Sequence, residues 1–152
     1  MYKRQLLNAL CEVEGLQWIR LHYAYPSKFP RNILDVMAVQ PKVCNYLDIP
    51  LQHASDDVLK RMRRQVTCAE TTDLINYARE VVPGIAIRTT FLVGHPGETE
   101  EEFEELCDFV RVMRLERLGV LLYIYEDDTI AHAYPDVVPV DLMSDCANRL
   151  LP

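Results

Sequence analysis

Three things are missing from this sequence, and each closes off a class of function. There is no surplus of basic residues: the 152-residue chain carries 16 Lys and Arg against 23 Asp and Glu, for a formal net charge of -7. Proteins that grip nucleic acid irrespective of sequence need a basic footprint, so direct nucleic-acid binding is not expected of this segment. There is no run of eighteen or more apolar residues, so no transmembrane helix is readable and no membrane partner is expected. Nor is there any close pair among the five cysteines: Cys11, Cys44, Cys68, Cys107 and Cys146 never stand closer than 24 positions. CxxC and CxxxCxxC, the spacings of zinc and iron–sulfur sites, are therefore absent. An odd number of thiols with no secretory signal fits a reducing cytoplasm, with each thiol serving as a small buried apolar group. The opening residues, MYKRQLLNALCEVEG, begin with charge but space their apolar positions helically, and no small-residue cleavage site follows. They read as an amphipathic helix and not as a signal peptide.

What is present is a repeat. At 49% hydrophobic the chain is one domain's worth of material. Leu6, Leu7, Leu10 and Val13 predict a first helix closed by Gly15. Residues 18–26, WIRLHYAYP, predict a strand stopped by Pro26, and a short helix with Ile33, Leu34, Val36 and Met37 follows Pro30. YLDIPL predicts the next strand, with Ser55 as N-cap of the helix bearing Val58, Leu59 and Met62. Thr67 with Glu70, and Thr99 with Glu102, have capping-box spacing ahead of two longer helices. Between and after them, 85–93 and 118–125 predict the third and fourth strands. The strand starts are 28, 39 and 33 residues apart, the length of a strand, a crossover helix and two loops. The fold class expected is α/β, a parallel sheet either open or curled into a barrel. From residue 126 onward no clear period remains, and a loose tail or a short helix is expected.

A parallel strand covered on both faces is apolar throughout. Three of these strands instead carry polar groups an even number of residues apart, which places them on one face: Arg20 and His22, Asp48 and, past the proline, Gln52, Arg88 and Thr90. Buried charge is costly unless it is paired or serves a ligand. In βα architectures the ligand site lies at the carboxyl ends of the strands, and Gln52, His53, Thr90, Gly94 and His95 fall there. Gly94 and Gly97 around Pro96 let backbone approach a ligand, or simply make an ordinary βα turn. The acidic helix start that follows is unsuited to phosphate. Lys60, Arg61, Arg63 and Arg64 make a solvated helix face, except that Arg64, last in the helix, can turn toward a carboxylate.

The segments WIRLHYAYP, PKVCNYLDIPLQHASDDVLKRMRR and VPGIAIRTTFLVGHPGETEEEFEEL closely resemble the radical S-adenosylmethionine (SAM) methylthiotransferases. YLDIPLQH and RLHYAYP resemble the branch that modifies an aspartate of small-subunit ribosomal protein S-twelve. The resemblance runs over roughly residues 2 to 125. It implies the C-terminal four strands of a six-stranded partial TIM-type barrel over residues 1–125, followed by a divergent tail over 126–152. It implies SAM as cofactor, with Gln52 hydrogen-bonding it, Arg64 pairing with its carboxylate and Thr90 at the ribose. The backbone at Val93 and Gly94, and at Leu121 to Tyr123, would line the adenine. It also implies 4Fe–4S clusters in full-length members, whose CxxxCxxC ligands this sequence does not contain. The partner implied is S-twelve or the small ribosomal subunit, in the cytoplasm. Family members have Y-S, acidic residues and then G-T after the last strand; here Ile124 replaces the serine and Asp128 the glycine.

The leading expectation is therefore a methylthiotransferase fragment that does no radical chemistry alone. Other readings are a fragment of the tRNA-modifying type, or a non-catalytic SAM-binding or interaction module that pairs or self-associates through open sheet edges. A metal-dependent barrel enzyme using His22, Asp48, His53 and His95 is a further reading, although no HxH or HExxH spacing links them.

Overall fold

The computed structural model describes residues 2–125, 127 and 134–151. The element order is α1 (Tyr2–Cys11), β1 (Ile19–Leu21), α2 (Asn32–Val39), β2 (Val43–Asp48), α3 (Asp56–Arg61), α4 (Cys68–Val81), β3 (Ala86–Val93), α5 (Glu100–Met113), β4 (Arg117–Leu122) and α6 (Val140–Leu150). The four strands form one parallel sheet in the order β1-β2-β3-β4. Each strand lies beside the next one in sequence, as successive crossovers of one hand produce.

Local chemistry sets the helix starts. Thr67 accepts from the Glu70 N–H at 3.2 Å while Glu70 accepts from the Thr67 N–H at 2.9 Å. Thr99 and Glu102 repeat the arrangement at 3.3 and 2.9 Å. Each box satisfies two of the N–H groups a helix start leaves open. Ser55 is the N-cap of α3 but makes no side-chain cap bond; its N–H donates instead to His53 Nδ1 at 3.0 Å.

The strands differ from expectation at their ends. β1 holds only three residues of the nine expected, because an edge strand has one neighbour and its register to β2 shifts between Ile19 and Leu21. β2 begins three residues early, at Val43, and stops at Asp48 ahead of Pro50, which has no N–H for the ladder. Pairing nonetheless resumes past the proline, where Gln52 bridges Phe91 of β3.

The core lies between the sheet and its helices. On β3, burial alternates strictly: Ile87, Thr89, Phe91 and Val93 are buried, while Ala86, Arg88, Thr90 and Leu92 are half-buried. Ile87, Phe91 and Val93 belong to one apolar cluster with Leu74 and Ile75 of α4 and Phe103 and Leu106 of α5. Phe91 meets Phe109 edge-on, with ring centroids 6.2 Å apart. Among the described residues, the opposite, concave face carries the half-buried side chains Arg88, Thr90 and Leu92.

In the region where a short helix at most was expected, α6 runs for eleven residues and buries Met143, Cys146 and Leu150. It is amphipathic, and its stripe packs on β4, β3 and α5. Arg149 braces it, reaching Glu100 at 2.7 Å and pairing with Glu104, with its guanidinium 4.7 Å above the Phe103 ring. Asp128 lies outside the described residues, and Ile124 is exposed.

Candidate functional site

The concave face is built from the strands outward. Asp48 ends β2 in register with Arg88 of β3, and Arg88 is in register with Arg117 of β4. Asp48 is only 3% exposed. Its Oδ2 accepts from Arg88 Nη1 at 2.8 Å and lies 3.3 Å from His22 Nδ1. One position outward on β1 and β2, the Arg20 guanidinium stacks over the Tyr46 ring at 3.7 Å. Of the polar residues expected on one face, Arg20, His22, Asp48, Arg88 and Thr90 share it, and His22, Asp48 and Arg88 touch, while Gln52 bridges Phe91 of the other face. A buried carboxylate held by an arginine and a histidine meets the condition under which buried charge is tolerated.

Gln52 sits at the upper rim of that face. Its N–H donates to the Thr90 carbonyl at 3.0 Å and its carbonyl accepts from the Leu92 N–H at 2.8 Å. Both backbone groups are satisfied while the residue holds a φ of 74°, which a side chain with a Cβ adopts at a cost. Strain held in place by surrounding bonds is a mark of functional positions. The Gln52 carboxamide meets no hydrogen-bonding partner among the described residues. Thr90, on the concave face of β3, is tied to Gln52 through backbone, and its Oγ1 is 3.5 Å from where a Cβ on Gly119 would stand. A bulkier neighbour on β4 would crowd it.

Arg64 reaches the rim by a different route. Its N–H closes the end of α3 on the Leu59 carbonyl at 2.8 Å, after Arg63 takes a φ of 55°. Its guanidinium lies 5.5 Å from the Tyr25 ring centroid. Tyr25 follows β1, tied to the β2 end through the Ala24 N–H and Asp48 carbonyl at 2.8 Å. Arg64 lines a depression of about 640 Å³ with Lys60, Arg63 and Thr67. Gln52 and Thr90 do not line it. The structure therefore brings Gln52 and Thr90 together and holds Arg64 separately, over Tyr25.

Val93 and Gly94 are turned the other way. Val93 is fully buried on the helix face, and its carbonyl accepts from the Tyr123 N–H at 2.9 Å. Gly94 has a φ of 80°, and a Cβ there would stand 2.4 Å from Met143 Cγ. The close approach that this glycine permits is made by α6. What these two residues offer a ligand is backbone alone.

Beneath the rim lies a residue that sequence reasoning did not single out. Glu98, with a side chain only 4% exposed, accepts from the Gly94 N–H at 2.7 Å and the His95 N–H at 3.1 Å. Its other oxygen lies 3.4 Å from His53 Nε2. Because His53 Nδ1 accepts from Ser55, the ring proton belongs on Nε2, facing Glu98. Glu98 thereby pins the β3–α5 turn to the β2–α3 turn, the one carrying Gln52. The signal available in the sequence was a glutamate immediately before an N-cap threonine, following Gly-His-Pro-Gly.

His53 has both ring nitrogens engaged, so it is not free to ligate. His95 packs against Tyr123 and Tyr134, with ring centroids 5.7 and 6.0 Å away. Burial pushes its pKa below the usual histidine range, and the Arg61 charge adds to this, against a hydrogen bond to the Pro96 carbonyl. Burial alone would raise Glu102, but the Arg61 guanidinium at 2.5 Å and the Thr99 N–H outweigh it and hold its carboxyl low. Among the described residues, no group of three or more His, Cys, Asp and Glu gathers to hold a metal ion.

The chain is similar to known proteins along almost its whole length. It is 51% identical over 155 aligned residues to the ribosomal protein uS12 methylthiotransferase RimO of Flavobacterium johnsoniae, covering 99% of this chain and 36% of that protein. The RimO of Bacteroides fragilis is 52% identical over 156 residues, again with 99% and 36% covered. The chain thus spans about a third of the length of the curated relatives it matches. Among solved structures, the coproporphyrinogen III oxidase HemN from Escherichia coli, described as a radical SAM enzyme, superposes with a TM-score of 0.75. That match covers 97% of this chain and 36% of the other at 18% identity, and it shows a common fold. A model of the Radical SAM superfamily matches residues 2–110, more than half of the chain, and with the parallel βα sheet and its polar concave face this establishes that the chain belongs to that superfamily.

Proposed function

We propose that this chain is the cofactor-side segment of a ribosomal-protein methylthiotransferase, with residues 1–125 as part of the barrel and 126–152 as its divergent tail. The reaction is addition of a methylthio group to the β-carbon of an aspartate of ribosomal protein S-twelve, in the cytoplasm. The single observation carrying this reading is the 51–52% identity, over 99% of the chain, to proteins bearing that name.

The cysteines do not suit a 4Fe–4S cluster: burial pushes Cys146 up to about 11 and raises Cys68 and Cys107 as well, whereas cluster ligands are thiolates. This chain by itself is proposed to be inactive in radical chemistry. SAM suits the rim better. The unpartnered Gln52 carboxamide and the Thr90 hydroxyl, on residues joined by a backbone hydrogen bond, supply donors and acceptors for its polar groups. Arg64 supplies a guanidinium whose contact with Tyr25 at 5.5 Å is loose enough to exchange for a carboxylate. Glu98 holds the two turns in register, and the carbonyl of Val93 is already committed to Tyr123. When bound, SAM supplies the radical and methyl-transfer chemistry; the protein's part is placement.

Calorimetric titration with SAM tests the reading. The parent chain is expected to release heat that is lost in Arg64→Ala and Gln52→Ala, while Lys60→Ala leaves it unchanged. Flat heats from the parent chain would overturn the cofactor-side assignment. A second reading, an interaction module, draws on the sheet edges: among the described residues β1 and β4 each pair with one strand. Concentration-dependent association on size exclusion, with no SAM heat, would favour it.

A further inference from the structure

We propose that Arg88, braced by Asp48, is the residue that receives the carboxylate of the substrate's aspartate. This rests on the function proposed above and names the group that sets its substrate class. Arg88 projects from the concave face two residues before Thr90, hence about 7 Å below it along the strand. A ligand held by Arg88 lies one side-chain layer beneath the rim formed by Gln52 and Thr90. The β-carbon of an aspartate is bonded directly to its carboxyl carbon. Gripping the carboxylate therefore fixes the reacting carbon to within one bond, under the rim.

The guanidinium is held and yet open. Asp48 takes Nη1 at 2.8 Å, and among the described residues no other acceptor meets Arg88. Its side chain is 43% exposed on the uncovered face. One arm of the fork is thus fixed and the remaining N–H groups are uncommitted, which suits a planar carboxylate. His22 shares Asp48 Oδ2 at 3.3 Å and keeps that carboxylate from swinging away.

The surrounding charge fits the same ligand. Arg20, stacked on Tyr46, and Arg117, in register with Arg88, flank the pair. Two further arginines thus neighbour the Arg88–Asp48 pair, in a chain whose net charge is -7. An internal ion pair needs one cation, and the surplus attracts an anion. His22 and Asp48 also lie within RLHYAYP and YLDIPLQH, the segments that resemble the protein-modifying branch. An acidic side chain is what separates that branch's substrate from a nucleobase.

The test is a titration of the full 152-residue chain with two synthetic peptides: the S-twelve loop carrying the aspartate, and the same loop carrying asparagine. The aspartate peptide is expected to bind about tenfold or more tightly than the asparagine peptide, as one charge-assisted pair gives. Arg88→Gln is expected to erase the difference and Arg88→Lys to keep part of it, with SAM heats unchanged in both and a lower unfolding midpoint in Arg88→Gln, where Asp48 loses its partner. Should a variant not fold, the Arg88 side-chain Nε resonance of the parent chain gives the answer, shifting with the aspartate peptide and not with the other. Equal binding of the two peptides, or discrimination surviving Arg88→Gln, overturns the assignment. If SAM still binds in that case, the proposed function stands without it. If neither SAM nor peptide binds, that function and this inference fall together.

Discussion

The two faces of β3 obey different rules. Its convex face, Ile87, Thr89, Phe91 and Val93, is sealed under α4 and α5, and even its threonine is satisfied internally, accepting from the Leu51 N–H at 3.2 Å. Its concave face, Arg88, Thr90 and Leu92, is half-open and carries donors that nothing in the described protein uses up. The contrast separates stability from function within a single strand. Residues one apart in sequence are doing unrelated jobs, because a strand sends them to opposite sides.

The sharpest way to break that division is to cut the sealed face. Phe91→Ala is expected to cost about 3–5 kcal/mol, since it leaves a cavity in the densest part of the core. Urea unfolding measures it, and a loss below about 1 kcal/mol would mean that the convex face is not the core. Glu98→Ala comes next, at about 3 kcal/mol, because it leaves the Gly94 and His95 N–H groups and His53 without their acceptor. It should also weaken SAM binding by disturbing the turn that carries Gln52, and Glu98→Gln should restore part of both.

Gln52→Gly sharpens the comparison by moving the two properties in opposite directions. Relief of the positive φ is expected to stabilise the fold by about 1 kcal/mol, while loss of the carboxamide abolishes the SAM heat. A variant both weaker in binding and less stable would show that Gln52 is structural. The smallest effect is that of pH. His95 is held below its usual range, so the unfolded chain takes up a proton first as pH falls through about 6.5. Stability is full above that value and declines below it, and a further decline follows at acid pH as Glu102, also held low, is protonated. Unfolding midpoints from pH 8 to 5 check the first part, which His95→Gln should remove.

Legibility followed distance along the chain. Both capping boxes span three residues, and both form as the spacing implied. The alternation on β3 was readable because period two is a property of the strand itself. The separate polar positions Asp48 and Arg88 were readable, but their pairing across forty residues was not. The His53–Glu98 link spans forty-five residues. The fit of Met143 against Gly94 and the full length of α6 escaped for the same reason: the helix is held by what it packs on, and its own sequence carries no capping signal at Pro139.

The amino-acid sequence by itself determined the order of strands and helices, the helix starts and the polar face of each strand, since these depend on neighbours within a turn or two. Only the tertiary structure decided which polar groups are spent on one another. Pairing in space left the Gln52 carboxamide and most of the Arg88 fork open, while it committed Asp48, His53 and Glu98. The reason is that hydrogen bonds and ion pairs act over about 3 Å, and only folding brings residues so distant in sequence to that separation.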